Sequence, residues 1–227
     1  LRKDGSVWAC GRNDYGLVGD NTRTNRNVAT RVKDTTGAGY LKDVADISVS
    51  DINVAVLTHT KDVYVWGYNY QGQLGNGTTN RGSGASTQSV ALPRKANISD
   101  VDKVIVNSRH LMAIKADGTV WSWGYNGYGQ LGIGTSSTSS SSGSYCRTTP
   151  VQVKLNASTF LTNVSDIGMT NYTTYVLLKD GSIYSFGYNG NGTKGDNTTS
   201  STGNGYATLL KDRYGEPFSK KISRLEN

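Results

Sequence analysis

The chain has 227 residues, with 24 Lys and Arg against 17 Asp and Glu, a formal net charge of +7. That length suits one domain with a core of its own, so disulfide staples are not required. With 28 Gly and 14 Tyr against 3 Pro and 2 Met, the composition favours turns and aromatic strands over helices, and no window approaches 18 consecutive apolar residues, which excludes a membrane-spanning helix.

The chain opens Leu1-Arg2-Lys3-Asp4-Gly5, without a starting Met or an apolar signal region, and reads as an internal cut. Its first pattern is Asp4-Gly5-Ser6-Val7-Trp8-Ala9-Cys10-Gly11. The same pattern returns as Val63-Tyr64-Val65-Trp66-Gly67, preceded by Thr60-Lys61 in place of Asp-Gly. It returns again at Asp117-Gly118-Thr119-Val120-Trp121-Ser122-Trp123-Gly124 and at Asp180-Gly181-Ser182-Ile183-Tyr184-Ser185-Phe186-Gly187. Asn13, Asn69, Asn126 and Asn189 follow two residues after each closing glycine, and Gly16, Gly72, Gly129 and Gly192 follow five after.

Before each later copy lie two further apolar stretches. Ile47 and Val49, Val104 and Val106, and Ile167 and Met169 alternate with period two, and Val54–Leu57, Leu111–Ile114 and Tyr175–Leu178 follow them. Each unit thus predicts three short strands, with a fourth near Pro150-Val151-Gln152-Val153 and its counterparts. Asp-Gly between apolar runs predicts a tight type I′ hairpin turn, with positive φ at both central residues. One large ring per unit, from pairs such as Tyr64 and Trp66 on one strand face, is expected to pack between neighbouring sheets. Four-stranded units of this length are accommodated by radial repetition, an all-β propeller of antiparallel blades.

Trp66-Gly67-Tyr68-Asn69-Tyr70-Gln71-Gly72-Gln73-Leu74-Gly75 and Trp123-Gly124-Tyr125-Asn126-Gly127-Tyr128-Gly129-Gln130-Leu131-Gly132 resemble the signature of the regulator of chromosome condensation repeat. The resemblance covers essentially the whole chain and implies a seven-bladed β-propeller, of which this chain is read as an arc. The expected units are a partial blade at 1–43, blades at 44–100, 101–163 and 164–218, and the first strand of a further blade at 219–227. A four-bladed closed ring is the alternative.

Chemistry-bearing motifs are few. No Gly-x-Ser-x-Gly, His-Glu-x-x-His, phosphate-loop or dinucleotide pattern is present, so no enzyme, cofactor or metal site is expected. Asp20 and Asp196, each in Gly-Asp-Asn-Thr, are read as Asx-turn caps rather than cation ligands. Cys10 and Cys146 lack the spacing of a zinc or redox pair, and two buried thiols are preferred to one bridge. Gly134–Ser144 reads as a tolerated surface insertion. Seven Asn-x-Ser/Thr sequons, at Asn76, Asn97, Asn156, Asn163, Asn171, Asn191 and Asn197, are expected by chance in so Asn- and Thr-rich a chain. Arg23, Arg26, Arg31, Lys33, Arg94, Lys95, Lys211, Arg213, Lys220, Lys221 and Arg224 form no dense basic run, and nucleic-acid binding is not expected.

The leading expectation is a non-enzymatic protein-interaction scaffold, with no partner named, within a larger bacterial surface or secreted protein, the compartment resting on composition alone. Its candidate contacts are Asp51, Arg109, His110 and Tyr172, in the loops joining the first two strands, and Tyr68, Tyr125 and Tyr188, after the closing glycines. His59 is expected to be exposed at a hairpin tip, and His110 to make a structural hydrogen bond on the rim. The family resemblance implies a rival, a guanine-nucleotide exchange factor for a small GTPase. Exchange-active members carry an acidic residue before the rim histidine, and the aligned residues here are Ile52, Arg109 and Tyr172. Glycan binding through Tyr and Trp ranks third, because most Trp fall within strands.

Overall fold

A computed structural model describes residues 1–139, 141–143, 145–200 and 205–218. All regular elements in it are strands. The first pair, β1 (Trp8–Gly11) and β2 (Arg26–Arg31), forms a two-stranded sheet. Three four-stranded antiparallel sheets follow. The first contains β3 (Val44–Val49), β4 (Asn53–Thr58), β5 (Val63–Tyr68) and β6 (Ser89–Lys95). The second contains β7 (Val101–Val106), β8 (His110–Lys115), β9 (Val120–Tyr125) and β10 (Cys146–Gln152). The third contains β11 (Val164–Met169), β12 (Thr173–Leu178), β13 (Ile183–Gly187) and β14 (Thr208–Leu209). Each is a meander in chain order, as short strands separated by turn residues dictate. The strand expected at 219–227 lies outside the described residues.

Period-two alternation sends neighbouring residues to opposite faces, and the central strands bury both. In β4, Val54 and Val56 join Val7, Val32 and Trp66 in one cluster, while Ala55 and Leu57 join Val104, Leu111 and Trp123 in the next. A third cluster, with Met112, Ile167, Val176 and Phe186, joins the second and third four-stranded sheets. Trp66, Trp123 and Phe186 are fully buried, one per unit, as the repeat predicts. Each ring is seated on a glycine of the preceding unit: Trp66 on Gly19, Trp123 on Gly75 and Phe186 on Gly132, where a Cβ would come within 2.7–3.2 Å of the ring. Trp66 Nε1 donates to the Leu17 carbonyl at 2.8 Å, and Trp123 Nε1 to that of Gln73 at 2.9 Å, so the buried indoles leave no donor unpaired.

Two expectations about local structure are corrected. At the Asp-Gly hairpins only the glycine has positive φ (Gly5 73°, Gly118 78°, Gly181 88°). The turns are therefore wider than type I′, because the aspartate side chain supplies a cap of its own. Asp117 Oδ1, for instance, accepts from the amide and hydroxyl of Thr119 at 2.9 and 2.6 Å. The cysteines are free but not buried: Cys10 is exposed and Cys146 half-buried. Cys10 lies on β1, whose two-stranded sheet covers it less than the four-stranded sheets cover their strands.

Candidate functional site

In a four-stranded meander the first and third connections emerge at one end and the second at the other. The loops β3–β4, β7–β8 and β11–β12 therefore share a rim with the long loops β1–β2, β5–β6, β9–β10 and β13–β14. All seven sequence-predicted contact residues belong to the loops and strand ends of this rim.

The closing glycines build it. Gly67, Gly124 and Gly187 have φ of 106°, 98° and 111° and lie against the carbonyls of Ile52, Arg109 and Tyr172, leaving no room for a Cβ. That conformation lets the amides of Tyr68, Tyr125 and Tyr188 donate to the same three carbonyls at 2.9, 2.9 and 2.8 Å. One loop is thereby tied to the other in each unit. The buried asparagines fix the far side. Asn69 Oδ1 accepts from the Leu74 amide at 3.0 Å and Asn126 Oδ1 from that of Leu131 at 3.1 Å, while their Nδ2 atoms donate to the carbonyls of Thr78 and Thr135. Asn13 and Asn189 repeat this staple.

Tyrosines converge on the rigid base so formed. Tyr128 stands edge-to-face with Tyr172, Tyr188 and Tyr125, at centroid distances of 5.1, 5.2 and 6.3 Å, and Tyr125 meets Tyr145 at 5.3 Å. In the neighbouring unit Tyr68 contacts Tyr15 at 5.9 Å and stacks on Tyr70 at 6.3 Å. Two guanidiniums sit over these rings: Arg109 over Tyr125 and Tyr172 at 5.8 and 5.5 Å, Arg81 over Tyr70 and Tyr145 at 5.7 and 6.0 Å. Among the described residues neither has a carboxylate within ion-pair distance. Burial pushes the Tyr68 and Tyr125 phenols above their ordinary pKa, with neighbouring tyrosines adding to the shift and Arg109 opposing it, so both present neutral hydroxyls.

Of the predicted contacts, Arg109, Tyr172, Tyr68 and Tyr188 are part-exposed members of the cluster. Asp51 is exposed and accepts a hydrogen bond from Ser108 Oγ of the next unit. Tyr125 is nearly covered, 8% exposed, and acts as a floor. His110 does not reach the surface: it is the first residue of β8 rather than a loop residue, pairs with Gly124, and is fully buried. Its Nε2 lies 2.8 Å from Thr174 Oγ1, whose single proton goes to the Gln130 carbonyl at 3.0 Å. His110 therefore donates from Nε2 and is neutral, burial having pushed its pKa down to about 3. His59 is exposed, on the opposite rim, with Nδ1 3.2 Å from Asp43 Oδ1.

Tyr128, Tyr145, Tyr70, Tyr15 and Arg81 are absent from the sequence-predicted set. The signal available for two of them is positional, since Tyr15 and Tyr128 each stand four residues after a closing glycine. Asp20 and Asp196 are the expected Asx caps, accepting from the amide and hydroxyl of Thr22 and Thr198. Burial pushes both carboxyls up, but these bonds and the ion pairs with Arg26 (2.6 Å) and Lys194 (2.8 Å) outweigh it and hold both below the ordinary range. Their charge is already matched by side-chain cations.

The regulator of chromosome condensation (RCC1) repeat model matches residues 62–114 and 117–177, together half of the chain. The E3 ubiquitin-protein ligase HERC2 of Homo sapiens is 34% identical over 138 residues, covering 60% of this chain and 3% of that protein. The regulator of chromosome condensation of Drosophila melanogaster is 30% identical over 131 residues, 57% of this chain and 22% of the relative. The crystal structure of Prp20p from Saccharomyces cerevisiae superposes with a TM-score of 0.74 at 16% identity, covering 94% of this chain and 48% of that one. The chain thus spans about half of that structure and under a quarter of both sequence relatives. Repeat spacing, blade topology and the ring-on-glycine packing between blades agree: the chain belongs to the regulator of chromosome condensation repeat family of β-propellers.

Proposed function

We propose that this chain is a non-enzymatic protein-interaction scaffold that docks a partner on its tyrosine-lined rim. The observation that carries the reading is the pairing of Arg81 and Arg109 with the part-exposed rings of Tyr70 and Tyr172, above the buried Tyr145 and Tyr125, on loops held from both sides. Tyrosine and arginine dominate binding hot spots because they bring large contact area and strong donors, and anchored loops lose little freedom on association. Prp20p, a relative in fold, has been described with its binding properties to Gsp1p and histones, which supports a protein partner for this chain as well. The Asn-, Thr-, Ser- and Gly-rich composition supports placing the propeller in a bacterial surface or secreted protein.

Nucleotide exchange on a small GTPase is the rival. The position at which the family resemblance calls for an acidic residue holds Ile52, Arg109 and Tyr172 in the three copies, which favours docking without exchange. The discriminating experiment is release of a fluorescent guanine nucleotide from a representative panel of small GTPases on addition of the protein. The scaffold reading predicts release at the spontaneous rate for every member. Acceleration that Arg109→Ala abolishes would replace it with exchange.

A further inference from the structure

Away from the tyrosine rim, two open cavities of ≈ 410 and ≈ 390 Å³ lie on the outer parts of the sheets, in two units with one other between them. They are built on equivalent positions of two units. Trp8 and Trp121 each stand three residues before a closing glycine. Arg26 and Arg147 pair with those glycines, Gly11 and Gly124, across the ladder. The amides of Lys33 and Lys154 donate to Gly19 and Gly132 at 2.9 and 2.7 Å, and the two lysines form the equivalent isolated bridges to Tyr40 and Phe160. Each cavity is thus lined by a Trp, a second aromatic ring, an Arg and a Lys, with Thr30 or Gln152 on the edge strand beside them. The first also holds Asp20, which pairs with Arg26 at 2.6 Å, so Arg31 and Lys33 are its cations without a carboxylate among the described residues; Ile133 stands in that place in the second.

The fold does not demand this set. In the unit between, Tyr64 replaces the Trp and Asn97 the Lys, and the short 96–100 connection offers no second ring. In the last unit Tyr184 and Lys211 are accompanied by Pro217. The rings are also left in water where the set is complete: Trp8 is 39%, Tyr40 47% and Phe160 45% exposed. Cations gather on them, Arg31 over Tyr40 at 4.8 Å and Lys154 over Phe160 at 5.6 Å. Arg147 and Lys154 have no carboxylate within ion-pair distance among the described residues, and the buried Nε of Arg31 has no hydrogen-bond partner there.

We infer that these two cavities are binding sites for an acidic sugar unit, one per cavity. A pyranose offers an apolar C–H face to an exposed aromatic ring, hydroxyls to Thr30 or Gln152, and a carboxylate to the Lys and Arg. Cavities of this size with a few placed polar groups are typical of small-ligand sites, and charge-assisted bonds from Lys or Arg give the strongest orientation. Single-stranded nucleic acid would instead need a continuous basic groove with successive stacking rings. Here the two sites are separated by a unit that lacks the set.

The test is calorimetric titration of the intact chain with trigalacturonate, alongside maltotriose, a hexathymidine oligonucleotide and hexaglutamate. Tryptophan fluorescence locates the site, because Trp66 and Trp123 are fully buried and any quenching arises from Trp8 and Trp121. The expected result is saturable trigalacturonate binding at two sites per chain, with fluorescence quenching and no measurable maltotriose binding. The double variant Tyr40→Ala/Phe160→Ala should weaken it at least tenfold. Lys33→Gln/Lys154→Gln, which keeps every ring, should weaken it at least fivefold. Absence of trigalacturonate binding, binding that neither double variant weakens, or tighter binding of the oligonucleotide or hexaglutamate would overturn the inference. None of these substitutions touches the tyrosine rim, so the outcome is independent of the docking function proposed there.

Discussion

The two rims of the propeller are made from the same repeat and solve different problems. On the rim opposite the tyrosines, the connections His59–Asp62, Ala116–Thr119 and Lys179–Ser182 are short turns that satisfy themselves. Asp117 caps Thr119, Asp180 caps Ser182, and Lys95 pairs with Asp62 at 2.7 Å. Exposed pairs of this kind contribute about 0–1 kcal/mol and leave little unspent binding capacity. The tyrosine rim carries the long loops, yet they are held at both ends, by a left-handed glycine on one side and a buried asparagine on the other. Beside Asp51 and the Arg12–Asp14 pair, this rim presents ring faces and the guanidiniums of Arg81 and Arg109, which have no carboxylate within ion-pair distance among the described residues. Loop length alone does not mark a binding surface; long loops with fixed ends and unmatched donors do.

The comparison breaks most severely at the structure both rims share. Trp123→Ala removes a fully buried indole and its bond to Gln73, and should cost about 3–5 kcal/mol in urea unfolding, disabling both ends of the blade. Glycine substitutions separate the rims. Gly187→Ala combines positive φ with a collision at the Tyr172 carbonyl and should cost roughly 3 kcal/mol. Gly181→Ala on the opposite rim has φ of 88° but no atom near its Cβ and should cost about 1–2 kcal/mol. Equal losses by denaturant titration would show that the two rims are equally constrained.

Beneath the tyrosine rim, His110 supplies a pH signature. Its folded pKa of about 3 lies below the unfolded value of 6.5, so the unfolded chain binds the proton first. The stability that comes from keeping this imidazole neutral is fully present above pH 6.5 and is lost as pH falls from there toward 3. One proton gives a slope of about 1.4 kcal/mol per pH unit, or roughly 2 kcal/mol between pH 6.5 and 5. Asparagine occupies the equivalent position at residue 53, so His110→Asn should fold and should flatten the curve of stability against pH over that interval. A curve unchanged in slope would place the acid sensitivity elsewhere. The smallest expected effect on stability is that of Arg109→Ala, under about 1 kcal/mol because its guanidinium is itself only half-buried over the rings it meets.

Much of the fold is legible in the sequence, because Asp-Gly, the aromatic pair and the closing glycine recur at intervals that leave room for four short strands. The site is legible only where it coincides with the repeat. Tyr68, Tyr125 and Tyr188 follow closing glycines and can be read directly, whereas Tyr145 and Arg81 reach the cluster from long loops whose path no periodicity encodes. His110 shows the cost of placing a strand boundary one residue late. As the first strand residue it obeys the alternation of β8 and points into the wall, where as the last loop residue it would stand on the rim. The paired outer cavities escape a reading by strands because each is assembled from three separate stretches of chain.

The most direct measurement is paired photo-crosslinking in the cells that make the protein, with a photoreactive amino acid placed at Tyr172 on one rim or at Asp180 on the other. The account predicts a discrete crosslinked protein from position 172 that disappears when Arg109→Ala is added, and none from position 180. Crosslinking from position 180 alone, or from position 172 undiminished by Arg109→Ala, would contradict the assignment of the tyrosine rim as the docking surface.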